Sequence, residues 1–159
     1  MLRPEELARY ADAVVKVGLA LGRGDDLLVS CQPAHREFAV ALVEAGYRAG
    51  ARLVEVDYTD PLVRAAHLRN APDKSIGHVT RWHAVRTRAT VKPETATLFV
   101  AGEGEPGALA DVPGKRLAAE MTRSLKRFAD VRRASQIGKR RWCIAAWPAP
   151  AWADKVYPK

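Results

Sequence analysis

The side chains in this 159-residue chain that could do chemistry are four histidines, two cysteines and a scatter of carboxylates. His78 and His83 stand five apart, which is ~140° around a helix, so they cannot share a metal as an i, i+4 pair does. His35 and His67 are isolated, and the chain holds neither an HExxH motif nor a paired CxxC. His35 follows the first apolar run, at the strand end where ligands of open α/β sheets gather. The sequence favours the plainer reading, a solvent-exposed histidine at a helix start. Asp57 and Asp60 flank the end of the second apolar run, and Asp60 is explained as the cap of a helix opening at Pro61. Ser30 has no GxSxG setting and no base nearby in sequence. No nucleophile, base and orienter form a set, so no catalytic, cofactor-binding or metal-ligating residue is assigned.

Phosphate chemistry fares no better. Gly22-Arg23-Gly24 precedes the first apolar run instead of following it, and Cys31-Gln32-Pro33-Ala34-His35 after that run contains no glycine. A dinucleotide or triphosphate site needs glycines there, so that the backbone can approach the phosphates. Cys31 and Cys143 each fall inside an expected buried strand and read as structural thiols. The opening MLRPEELARYADAVVKVG carries early acids, unlike a signal peptide, and no apolar run approaches the ~20 residues of a membrane span. A reducing cytoplasm is the expected compartment.

The elements that must position these groups are organised around Asp25 to Tyr58. Leu27, Leu28 and Val29 form a short apolar run, as in a strand covered on both faces. Ala34, Phe38, Ala41, Leu42 and Ala45 then recur at helical spacing, and Leu53, Val54 and Val56 make a second strand. A strand, a helix and a strand on short links imply a right-handed crossover and a parallel sheet. Ahead of this unit, one helix runs from Pro4 to about Leu21. After it come a helix from Pro61 to about Asn70, a second beginning near Asp73 and spanning Ser75 to Lys92, and a strand at Ala96 to Ala101. A short helical piece follows near Ala108. The stripe Leu117, Met121, Leu125 and Phe128 marks a helix reaching Ser135 or Gln136, with its apolar face on the core. Trp142 to Ala146 is a fourth strand, Trp147 to Pro150 a turn, and Ala151 to Val156 a last helix. The fold class is α/β: a three-layer sandwich with a mostly parallel sheet of about four strands, Rossmann-like without a dinucleotide motif.

The net charge of +8 is concentrated. Residues 115–141 carry ten basic side chains against two acids, an excess equal to that of the whole chain. One reading is a stand-alone binding module whose basic helix engages nucleic acid or an acidic protein partner. No helix-turn-helix, zinc finger or stacking motif accompanies the charge, so a solvated face, or one that meets an acidic partner domain, is preferred and nucleic acid is disfavoured as a partner.

The terminal segment WCIAAWPAPAWADKVYP, Trp142 to Pro158, resembles the thermophilic-type aminopeptidase family of two-metal metallopeptidases. There a strand opened by Trp runs into a Pro-Thr-Pro-like turn, then Trp-Ala and a hydrophobic pair before Pro. Tyr10 to Gly18 is similar to that family's opening helix, and Glu44 to Tyr58 to its helix into the second strand. Asp60-Pro61, Ala71-Pro72 and Gly102 to Val112 fall in matching order. Arg81 to Lys92 and the basic helix depart from the pattern, and Ala149 stands where Thr is common. The resemblance implies that residues 1–159 are an amino-terminal α/β domain, with a catalytic, metal-binding domain following Lys159. Two divalent ions (zinc, cobalt or magnesium) would sit in that domain, and none would be bound by this chain. The implied activity is hydrolysis of amino-terminal peptide bonds. The implied partners are a peptide substrate reached through the catalytic domain and a second copy in a homodimer, with no membrane.

Overall fold

A computed structural model describes residues 2–147 and 149–156. Pro148 of the expected turn and the tail 157–159 lie outside the described residues. Helix α1 (Pro4–Ala13) opens with proline in its first turn, and the Glu6 carboxylate accepts from the Arg3 backbone N–H at 2.9 Å. The expected single helix to Leu21 is instead α1 followed by a π-helical turn, Val14–Gly18. Val14 and Val15 are buried in that wider turn, and Gly18 lies against Cys143 Sγ.

Strands β1 (Asp26–Cys31), β2 (Leu53–Tyr58), β3 (Thr95–Ala101) and β4 (Arg141–Ala146) form one sheet in the order β2-β1-β3-β4, with every pairing parallel. Helix α2 (Arg36–Arg48) carries the crossover from β1 to β2. Helices α3 (Pro61–Asn70) and α4 (Arg81–Ala89) connect β2 to β3, and α5 (Gly114–Arg127) and α6 (Ala129–Gln136) connect β3 to β4. Helix α7 (Pro150–Val156) ends the described chain. The expected three-layer α/β sandwich with a parallel sheet is present. No helix among the described residues is long and apolar enough to cross a membrane.

The two faces of the sheet differ. On one, Leu27, Val29 and Cys31 of β1 and Ala96 and Leu98 of β3 pack against Leu7, Ala11, Val15, Phe38, Leu42 and Ala45 in the main core. Phe38 is fully buried between Tyr10 and Trp147, ring centroids 5.0 and 5.1 Å away, and the Tyr10 hydroxyl donates to the Ala146 carbonyl at 3.1 Å. The loop before β1 is anchored by Asp25, whose Oδ2 accepts from Gly22 N at 2.7 Å and from Arg141 at 2.8 Å. The opposite face is not close-packed. Leu28 and Ser30 are only half-buried, which corrects the expectation of a strand covered on both sides. A run of consecutive apolar residues cannot distinguish two dry faces from one dry face and one loosely covered face.

The second layer keeps its own small core of Ala65, Leu68, Ile76 and Val112. Asp60 caps α3 as expected, Oδ1 accepting from Leu62 N and Val63 N at 2.8 and 3.3 Å. The helix expected over Ser75 to Lys92 contracts to α4, because Gly77 takes a φ of +68° and only a single 3-10 turn, Asp73–Ser75, precedes it. Around Ala108 there are turns and no helix. The expected long basic helix breaks at Phe128 (φ −114°, ψ 29°) into α5 and α6. Its stripe is only partly covered: Leu117 packs against the small core above, whereas Met121 is 61% and Leu125 43% exposed, and α5 fully buries no residue. Amphipathic spacing marks a face that could be covered without showing that anything covers it.

Truncating Phe38 to Ala removes the middle ring of the stack and opens a cavity where α1, α2 and the end of β4 meet. We expect a loss of about 3–5 kcal/mol in denaturant unfolding at unchanged fold. A loss under about 1 kcal/mol would show that the stack is not a keystone of the core.

Candidate functional site

In an open parallel sheet, ligands collect at the carboxyl ends of the strands where the strand order reverses, which here is between β1 and β3. Gln32 and His35 follow β1 into that crevice, and Gly102 and Gly104 follow β3. Gln32 Oε1 accepts from Gly104 N at 2.8 Å, and His35 Nδ1 accepts from Gln32 N at 3.2 Å. A Cβ built on Gly102, whose φ is +131°, would collide with the Trp147 carbonyl, and one on Gly104 would collide with Ala34. The crevice is therefore filled by protein. It is a lock between two strand ends, with glycines required by close backbone approach and not by a phosphate.

His35 is the residue that sequence reasoning misplaced. It is completely buried, not exposed at a helix start, because the first turn after Pro33 folds its ring beneath the β3 loop. With Nδ1 accepting, the proton resides on Nε2. That atom is buried beside the Gly102 backbone without a well-formed hydrogen bond. Burial holds the imidazole below the ordinary histidine value, and the Gly102 backbone opposes this more weakly.

The other chemistry-bearing residues stay apart. His67, His78 and His83 are exposed. Asp57 pairs with Arg86 at 3.1 Å, and Asp60 is committed to its cap. Cys31 is buried and its thiol is pushed up to about 11, first by burial and then by Asp57, so it is unionised at neutral pH. Cys143 is half-buried, and both cysteines are free. Among the described residues no three His, Cys, Asp or Glu side chains could together hold a metal ion.

One cavity on the loosely covered sheet face went undetected by sequence reasoning. It encloses about 470 Å³ between β1, β3 and helices α4 to α6. Ser30, Asp57, Thr97, Phe99, Arg132 and Arg140 are among the side chains lining it. No periodicity reveals it, because it exists only where half-buried alternate residues of two strands face a helix pair.

The basic segment splits by role. Arg116 donates to the carbonyls of Arg69 and Ala71, and Arg123 to those of Asp73 and Ile76, so these two tie α5 to the end of α3 and the turn beyond it. Arg141 holds Asp25, and Arg140 enters the cavity. Lys115, Lys126, Arg127, Arg132, Arg133 and Lys139 remain exposed. With Arg132, exposed but at the cavity wall, five of the ten cations thus serve the fold or the cavity.

With this geometry in hand, the comparisons with known proteins decide the family. The family model for the thermophilic metalloproteases (M29) matches residues 3–159. The chain belongs to that family. It is similar to aminopeptidase 2 of Geobacillus stearothermophilus, 26% identical over 153 residues, which cover 96% of this chain and 37% of the relative. It is similar also to aminopeptidase AmpS of Bacillus subtilis (strain 168), 27% identical over 154 residues, covering 97% and 37%. The solved structure of wild-type AmpT from Thermus thermophilus superposes with a TM-score of 0.86 at 25% identity, over 97% of this chain and 38% of that one. This M29 chain therefore spans little more than a third of the length of the relatives it matches. The described residues do not offer a metal site of the kind a metalloprotease needs.

Two outcomes test the lock. A histidine whose folded pKa is depressed contributes stability that is complete above the unfolded value of ~6.5 and is lost as pH falls through the folded value. Unfolding free energy should therefore drop as the pH is lowered from about 6.5, and His35→Gln should flatten that part of the profile; an unchanged slope would sink the assignment. Gly102→Ala should destabilise by about 2–4 kcal/mol through positive φ and overlap with Trp147, read by thermal and denaturant unfolding.

Proposed function

We propose that this chain is the amino-terminal α/β domain of a metal-dependent aminopeptidase that removes amino-terminal residues from peptides. The observation that carries the reading is the family match over nearly the whole chain, which corresponds to only 37–38% of the aminopeptidases it resembles. The same match favours this reading over a stand-alone basic module for nucleic acid or an acidic protein. The domain itself supplies no metal ligand and no catalytic group; two divalent ions of zinc, cobalt or magnesium, held by a second domain, would activate water and polarise the scissile carbonyl. The role of residues 1–159 is to wall the substrate cavity and to support a homodimer. The Tyr10–Phe38–Trp147 stack holds the residue that follows β4 against α1 and α2, which suits a domain whose far end must be fixed relative to a neighbour. The compartment proposed is the cytoplasm, in keeping with two free cysteines.

Purified residues 1–159 should release no product from leucyl-p-nitroanilide with zinc, cobalt or magnesium, whereas a chain extended to the relatives' length should turn over. Metal-dependent cleavage by the 159-residue protein that Asp57→Asn or His35→Gln abolishes would put the reaction centre in this domain and overturn the proposal.

A further inference from the structure

The cavity behind β1 and β3 holds an arginine with no counter-charge. Arg140 precedes β4 and turns its guanidinium inward over the Phe99 ring, 5.4 Å from the centroid. Its one hydrogen bond is a long one, 3.3 Å to Thr97 Oγ1, and its Nε is buried with no partner. Among the described residues no carboxylate lies within ion-pair distance of it, although eleven other ion pairs form across the molecule. Asp57, the carboxylate lining the same cavity, is engaged by Arg86 at 3.1 Å. Arg132 adds another cation to the lining, so the walls carry an excess of positive charge.

Arg140 is half-buried, and a cation drawn partly out of water without a counter-charge is destabilising; chains ordinarily avoid it by pairing or by pointing the group outward. Burial also pulls the Arg140 pKa down, as expected for a charge lacking compensation. The remaining lining is suited to a polar guest. Ser30, Thr59, Ser124 and Ser135 offer hydroxyls, while Phe99 and Phe128 supply apolar surface. A volume of about 470 Å³ lies within the ~300–1,000 Å³ of ordinary small-molecule sites and far exceeds the needs of a single water.

We propose that this cavity is a binding site for a small organic oxyanion, its carboxylate or phosphate group held by Arg140 and its body lodged against Phe99 and the surrounding hydroxyls. Guanidinium groups bind both oxyanions through paired N–H donors, so the chemistry is shared and the source is left to the measurement. The proposal rests on the cavity's own geometry and on no part of the aminopeptidase reading.

The test uses the purified protein with inorganic phosphate and citrate as probes, against sodium chloride at matched ionic strength. Thermal unfolding and the ¹⁵N-resolved arginine Nε signals are read together. Phosphate, citrate or both should raise the melting temperature saturably and shift the Arg140 Nε signal; whichever acts identifies the head group. Arg140→Gln should weaken the response about tenfold or more, and Arg140→Lys should retain part of it and control for folding. Arg133→Gln, on the exposed side of α6, should leave the response within about twofold. No saturable shift with either probe, an equal shift with sodium chloride, or an undiminished response in Arg140→Gln would each overturn the proposal.

Discussion

Burial of one face of β1 is the constraint on which the rest of this structure depends. The strand is central in the sheet, paired on both sides, and Leu27, Val29 and Cys31 are removed from water on the α1 and α2 side. At roughly 25 cal/mol per Å² of apolar surface removed from water, burial of these residues with Phe38, Leu42 and Leu98 stabilises the main core. Because side chains alternate along a strand, the same register sends Leu28 and Ser30 to the opposite face. One dry face and one loosely roofed face follow from a single strand's position.

That asymmetry moves the functional interest away from where a parallel sheet usually keeps it. The crossing point between β1 and β3 is closed by Gln32, His35, Gly102 and Gly104, which satisfy one another or fit too closely to leave room. A cavity of about 470 Å³ lies behind the strands, under α4 to α6, where α5 buries no residue. The exposed outer residues of β4, Trp142 at 46% and Ile144 at 57%, continue this incompletely covered face to the sheet edge. Membership of the M29 family thus does not come with a visible reaction centre in these residues.

The charge of the chain makes the same point. A run of ten basic residues in 27 positions invites an electrostatic binding face, yet the three-dimensional arrangement assigns several of them to internal duties. Arg116 and Arg123 satisfy carbonyls that α3 and the following turn leave open, a role that needs long, forked donors more than net charge. Arg64 and Glu120 lock α3 to α5 at 2.5 Å, so even one of the two acids of the segment is structural.

Strand and helix order, the parallel sheet, the Asp60 cap and the family were all legible in the sequence. Each depends on local chemistry: apolar period, proline and cap positions, or a segment such as Trp142 to Ala153 read as a string. What only the tertiary structure decided were properties created by distant residues. Burial of His35 required the β3 loop to fold over it. Exposure of Met121 and Leu125 was set by which residues of this chain folding brought to α5, which an amphipathic pattern does not report. The inward turn of Arg140 required a cavity walled by two strands and three helices. A sequence specifies each residue's preferences, but whether a preference is met depends on neighbours that the chain brings together only on folding.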